Sequence, residues 1–345
     1  MAAGKHTQDA SSDDREHDRE HDREHDRERD ADEPVGDEIV RCTADGGAVR
    51  VVAVTATEVA REAIRRHGAT GASAVALARG LTSGLLLATL TKDRERVTLQ
   101  LLGDGPLGGL TVDATSEGTA RAYVKDVDAP IAADVGAGRR PVLARAIGAT
   151  GVVSVVRDLG MRESFRGQTS LVSGEIDEDC ERYLNESEQI DSAIRCETVL
   201  APDGTLVAAA GVLVQAMPGG RGAAIVSTAR ARLVAGALRD ALAKAHTPGA
   251  GTPTDPGTLV DEALGDLLGA WHVLDARPVH FHCPCSRERA GASLALLGAA
   301  ELGDMILEDG KAEVVCNFCR ARHDFDEAEL ELIRRDLQGA AGPPS

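Results

Sequence analysis

From residue 37 onward the apolar positions fall into two rhythms, and each rhythm predicts its own element. "EIVRCTA" and "VRVVAV" are strand-like runs on either side of Gly46-Gly47, which predicts a β-hairpin. "TEVAREAIRRHG" switches to a helical period and is closed by Gly68. "ASAVALARGLTSGLLLATL" is apolar on nearly every face and predicts a second, more buried helix. "RVTLQLLG" and "GLTVDAT" flank "GDGPLG", and "ARAYV" follows a turn at Glu117-Gly118. "GVVSVVRDL", "TSLVSGEI", "SAIRCETVL" and "TLVAAAGVLVQAM" predict further strands, the last two joined by the turn signal "APDG". "DEDCERYLNESEQ" is a polar-faced helix set between strands. Strands in runs with helices set apart predict an α+β fold with a mixed α/β-sheet core.

After "MPGGRG" the texture changes. "STARARLVAGALRDALAKA" predicts one long amphipathic helix, "HTPGAGTPTDPG" at 246–257 breaks it, and "TLVDEALGDLLGAWHVL" predicts another, capped near Thr258. "DEAELELIRRDL" closes the chain as a charged helix. Before residue 37, Asp-Arg-Glu-His repeats with a period of four and offers no apolar face. The resulting division is a disordered acidic low-complexity tail (1–36), a core domain (37–220), a metastable helical linker (221–280) and a small C-terminal four-cysteine zinc domain (281–345). His17, His21 and His25 of the tail lie at helical i,i+4 spacing and are at most weak metal chelators.

Composition narrows the function. Aromatic residues make up only 2% of the 345 residues, so the core is built from Ala, Val and Leu. A formal net charge of −18 disfavours nucleic acid and anionic membranes as partners. The start "MAAGKHTQDASSDD" lacks an apolar segment of the secretory kind, and no stretch approaches a membrane-spanning apolar run. Seven cysteines, four of them clustered, suit a reducing cytoplasmic setting with one metal or redox site.

The cluster carries the strongest signal. Cys283-x-Cys285, then 30 intervening residues, then Cys316-x-x-Cys319 present four soft ligands in two chelating pairs, a donor set that suits Zn2+. Spacing alone ranks a permanent structural zinc clip first, a redox-switched zinc site second and an iron–sulfur site third. Zinc keeps thiols as thiolates, the form that peroxide attacks, and Arg287, Arg289, Arg320 and Arg322 favour anionic sulfur while Glu288 and Asp324 oppose it. Phe281, Phe318 and Phe325 flank the pairs and predict a miniature core. His280, His282 and His323 are read as surface or supporting groups, since four cysteines complete the shell. Cys42 and Cys196 lie in strand-like runs, where burial is the default. "GDGPLG" lacks the Lys-Ser/Thr of a phosphate loop and reads as a turn.

Taken together, "VRVVAVTATEVAREAIRRHGA", "LQLLGDGPLGGLTVDA", "RAYV", "YLNESEQ", "AAAGVLVQAMPG", "FHCPCSRER" and "VVCNFCRARHDF" resemble the redox-regulated heat-shock holdase family, the 33 kDa chaperonins, in order over about residues 37–337. The resemblance implies a non-enzymatic, ATP-independent chaperone. In such a protein Cys283, Cys285, Cys316 and Cys319 hold one Zn2+ when reduced and the protein is inactive. Oxidation pairs Cys283 with Cys285 and Cys316 with Cys319, zinc leaves, the linker unfolds, and the active homodimer binds unfolding client proteins. The chain departs from the family in its tail, in His323 where an aromatic residue is expected, and in Cys42, Cys180 and Cys196. Two other readings remain open at this point. One is a constitutive zinc-ribbon binding module. The other is a thiol–disulfide oxidoreductase using Cys316 and Cys319, which lacks the βαβ context of that class.

Overall fold

The computed structural model describes residues 36–91, 95–129, 140–158, 164–219, 221–247 and 255–340. The tail reading, with His17, His21 and His25, and most of the Pro/Gly break lie outside these residues. The described residues belong to one compact unit, Gly36–Ser345.

In chain order the unit comprises β1 (Glu38–Ala44), β2 (Val49–Thr55), α1 (Thr57–His67), α2 (Gly71–Ala88), β3 (Arg96–Gly103), β4 (Leu110–Thr115), β5 (Thr119–Val124), the short α3 (Ala144–Ile147), β6 (Gly151–Asp158), β7 (Phe165–Ser170), α4 (Ile176–Glu186), β8 (Ser192–Leu200) and β9 (Leu206–Ala216). Then come α5 (Gly222–Ala235), α6 (Ala237–Ala245), α7 (Pro256–Leu268), β10 (Trp271–Pro278), β11 (His280–Phe281), α8 (Arg287–Ala295), α9 (Ala299–Glu308), β12 (Lys311–Val315), β13 (Arg322–Asp326) and α10 (Glu327–Ala340).

Three sheets organise these elements. A five-stranded antiparallel sheet runs β10-β1-β2-β9-β8, and a six-stranded sheet runs β11-β5-β4-β3-β6-β7. The third is the β12–β13 hairpin. Helix α2 lies between the two large sheets, and Leu77, Leu81, Leu85 and Leu86 on it are fully buried. It is long and apolar enough to cross a bilayer, which corrects the expectation that no stretch approaches that limit. It is almost wholly enclosed by protein, as a core helix is. One core cluster fills the space around α2. A second fills the outer face of the five-stranded sheet, where Val49, Val51, Val212 and Val214 pack against Val226 and Leu233 of α5, Leu242 of α6 and Leu259 and Leu264 of α7. Small and branched aliphatic side chains make most of that second layer, with Cys42 among them and Trp271 at its margin.

The hairpins form as the alternation predicts. In β5, Ala120, Ala122 and Val124 face inward while Thr119, Arg121 and Tyr123 face outward. Helix α1 ends at Gly68 in the left-handed conformation, φ 62°. The predicted long helix after residue 226 is two helices, because Gly236 at φ 107° breaks it. The cap of α7 is Asp255, whose side chain accepts from the Thr258 N–H, with Pro256 in the first turn. That helix stops at Gly269 (φ 63°), so Trp271–Leu274, expected within it, belong to β10 on the exposed edge of β1. The 221–280 region is therefore not purely helical. Strand β7 ends at Ser170 rather than continuing to Ile176, because Asp179 accepts from the N–H groups of Val172, Ser173 and Gly174 and curls the segment into α4.

A buried ion cluster was not anticipated. Arg79 on α2 is fully enclosed, pairs with Glu175 at 2.8 Å and donates to the Pro141 carbonyl at 2.7 Å. Arg140 pairs with Asp177, and Arg195 with Glu197 at 2.9 Å. Partnered charges of this kind fix α4 and β8 against α2, and removing one partner would strand the other.

Candidate metal centre

Two local structures deliver the cysteines. Cys283 and Cys285 lie in the extended segment between β11 and α8, and Ser286 caps α8 by accepting from the Arg289 N–H. The start of that helix adds partial positive charge beside Cys285. Cys316 and Cys319 occupy the tip of the β12–β13 hairpin. There the Cys316 N–H donates to the Ala321 carbonyl and the Arg320 N–H donates to the Cys316 carbonyl, both at 2.9 Å. Arg320 takes φ 60° to close this tight loop.

The four sulfurs all lie within 4.8 Å of one another. Cys283 Sγ is 3.7 Å from Cys316 Sγ, and Cys285 Sγ is 3.2 Å from Cys319 Sγ. Four sulfurs on one tetrahedral zinc, each roughly 2.3 Å from the ion, would stand about 3.8 Å apart. The donor set therefore fits that ion in both chemistry and spacing. His280, His282 and His323 are not among the gathered groups. His323 lies on β13 with Nε2 enclosed and unbonded.

The electrostatics of the cluster come partly from outside the C-terminal module. Arg121, on the outward face of β5, donates from Nη1 to Cys283 Sγ at 3.1 Å. Burial pushes the Cys283 thiol up, but the Cys285 N–H, Arg121 and the Cys319 thiol outweigh it and bring it down to about 7. Burial, reinforced by the neighbouring sulfurs, pushes Cys285 up, and burial also raises Cys319. Three of the arginines adjacent in sequence are engaged elsewhere. Arg287 pairs with Glu329 at 2.7 Å, Arg322 pairs with Glu313 at 2.8 Å, and Arg289 donates to the Pro284 carbonyl. The cation at the sulfur thus sits 162 residues away in sequence, inside "RAYV". Nothing local in that stretch marks Arg121, because the sequence does not show which outward residue of β5 meets the module.

The flanking phenylalanines divide between two jobs. Phe325 fills the module's small core with Ala290, Leu294, Leu302, Ala312 and Leu330. Phe281 packs instead against the main core under Arg66, and Phe318 meets the Tyr123 ring edge-on at 4.9 Å. The miniature core predicted from all three thus holds only Phe325. Cys42, Cys180 and Cys196 are buried thiols distant from the cluster. Burial pushes all three up, Cys42 to about 11, which keeps them protonated and unreactive. "GDGPLG" forms a turn, with the Gly108 N–H donating to the Gly105 carbonyl at 3.0 Å.

An α+β core with a buried central helix, a helical cover and a four-thiol module defines a protein class, and comparison with known proteins identifies it. The Hsp33 protein family model matches residues 37–326. The 33 kDa chaperonin of Bacillus subtilis (strain 168) is 36% identical over 299 residues, covering 86% of this chain and 98% of that protein. The 33 kDa chaperonin of Listeria monocytogenes serotype 4a is 37% identical over 307 residues, covering 88% of this chain and all of that protein. The crystal structure of the 33 kDa chaperonin from Thermotoga maritima superposes with a TM-score of 0.72 at 31% identity, covering 88% of this chain and 99% of that one. The chain belongs to the Hsp33 family. It is accordingly a chaperone of α+β architecture with a C-terminal four-cysteine cluster.

Proposed function

We propose that this chaperone is a redox-controlled, ATP-independent holdase of the reducing cytoplasm, with residues 37–220 as core, 221–280 as the releasable cover and 281–345 as the switch. The observation that supports it most is the gathering of Cys283, Cys285, Cys316 and Cys319 in the module that follows β10 and the two-residue β11. When bound, Zn2+ would hold the four thiolates together and supply roughly 10–16 kcal/mol to a module whose own core is six buried side chains.

The switch lies in the thiols. Peroxide accepts two electrons and two protons from a thiol pair and becomes two waters, and the pair becomes a disulfide. The pairs proposed are Cys283–Cys285 and Cys316–Cys319. In the folded module Cys283 touches Cys316 and Cys285 touches Cys319, so closure within each pair exchanges these contacts for a bond to the sequence neighbour. Loss of four ligands then frees the module, β10 and α5–α7. Their departure would bare the aliphatic face of β1, β2 and β9, a surface for unfolding clients and for a second copy of the chain. No catalytic turnover is required.

The test follows zinc release, free thiols and suppression of client aggregation together during peroxide treatment at elevated temperature. Loss of four thiols and one zinc with a gain in holdase activity is expected. Zinc that stays bound would leave a permanent clip as the function of the site.

A further inference from the structure

Arg121 is unusual among the described residues in touching both halves of the cysteine module from the core. Its guanidinium donates to Cys283 Sγ at 3.1 Å and stacks over the Phe318 ring at 3.9 Å, and Phe318 stands between Cys316 and Cys319. It is held for this by Asp113 on β4, which accepts from Nη2 at 2.6 Å and from Nε at 3.1 Å. Both side chains are largely buried, 14% and 11% exposed. Both bonds end on the same oxygen, Oδ2, while Oδ1 accepts from the Thr98 hydroxyl at 2.6 Å, so the carboxylate that aims the guanidinium is itself held. Around it the core makes three weaker holds on the same hairpin tip. His67 Nε2 lies 2.9 Å from the Phe318 carbonyl, Arg66 donates to the Cys319 carbonyl at 3.3 Å, and Tyr123 meets Phe318.

We propose that Arg121, aimed by Asp113, is the positioning residue through which the core recognises the closed cysteine module and keeps it docked. The module is recognised as a composite, one sulfur from the first pair and one ring from the second, presented side by side. That composite exists only while all four cysteines are gathered. Drawing Cys283 into a disulfide with Cys285 removes the acceptor, and parting the pairs moves Phe318 off the guanidinium. Docking is therefore conditional on the state of the thiols, and Arg121 converts a chemical change at sulfur into release from β5. This rests on the holdase reading for its purpose but not for its geometry.

The test is hydrogen exchange on full-length, zinc-loaded, reduced protein without client, which separates it from any failure of the holdase assay. Arg121→Met should speed exchange of amides in 281–285 and 316–321 on the order of tenfold, given the loss of a charge-assisted hydrogen bond and a cation–ring contact. Amides of β8 and β9, remote from the contact, should keep wild-type rates. Asp113→Asn should give a smaller rise in the same segments, and Arg121→Lys should recover part of the protection. Wild-type exchange in 281–285 and 316–321 for Arg121→Met overturns the proposal. So does a rise that extends equally to β8 and β9, or an Asp113→Asn variant indistinguishable from wild type.

Discussion

Asp37 stands just before β1 yet caps a helix twenty residues on. Its carboxylate accepts from the N–H groups of Thr57 and Val59 at 2.7 Å each, while Ala56, the residue at the cap position of α1, has no side chain to offer. Burial outweighs these donors and raises the carboxyl from 3.8 to about 6. A raised acid binds its proton more tightly when folded. Its contribution to stability is therefore complete below 3.8 and lost as pH rises through about 6, to the extent of about 3 kcal/mol. Urea titrations at pH 4 and pH 7 should show this loss in the wild type and a flatter pH response in Asp37→Asn. Identical pH profiles would show that Asp37 does not titrate in this window. Residue chemistry was unevenly legible in the sequence. The four cysteines declare themselves by spacing. Asp37, Arg79 and Arg121 do not, because each acts on a partner brought near only by the fold.

At the scale of elements, period and punctuation carried most of the information. Gly46-Gly47 and "APDG" mark real hairpins, and Gly68 ends α1. Helix α7 was legible as a helix but its end was not, since "WHVL" fits a helical period and only the free edge of β1 draws it into a strand. Sheet order was beyond local pattern altogether, as β3 pairs with β6 across some fifty intervening residues. The cover helices touch the sheet mainly through aliphatic side chains, so single truncations there should loosen them selectively. Leu264 on α7 is fully buried against that sheet. Leu264→Ala should cost about 2–5 kcal/mol. On the holdase reading, it should also give reduced protein measurable anti-aggregation activity without peroxide. A variant that is destabilised but silent until oxidised would detach the cover from control of activity.

For the whole molecule, stability is distributed unequally. The two large cores each enclose more than twenty side chains, whereas the C-terminal module encloses six. Chelation under reducing conditions should therefore expose 281–340 to protease while 36–219 survives as a resistant fragment, read by mass spectrometry of the limit digest. A module as resistant after chelation as before would mean that its fold needs no metal. The division into core, cover and switch rests on changes of composition along the sequence. Their union into one compact unit was not, because it depends on side chains such as Phe281 and Tyr123 that meet across the boundaries.

Gly118 reveals how the chain passes between its two main sheets. At φ 90°, it has no room for a Cβ, which would fall 2.1 Å from the Pro278 carbonyl, and its own carbonyl accepts from the His280 N–H. Only Val279 separates β10 on the five-stranded sheet from β11 on the six-stranded one, and its N–H donates to the Asp37 carbonyl. The backbone is thus a seam sewn through both fabrics immediately upstream of Cys283. Of the strands in the two main sheets, tension passed upstream from the C-terminal module meets the two-residue β11 first and the eight-residue β10 only afterwards. Under load the seam should part in two steps, a slight one that lifts the stitch from β5 and a firmer one that strips the border from β1.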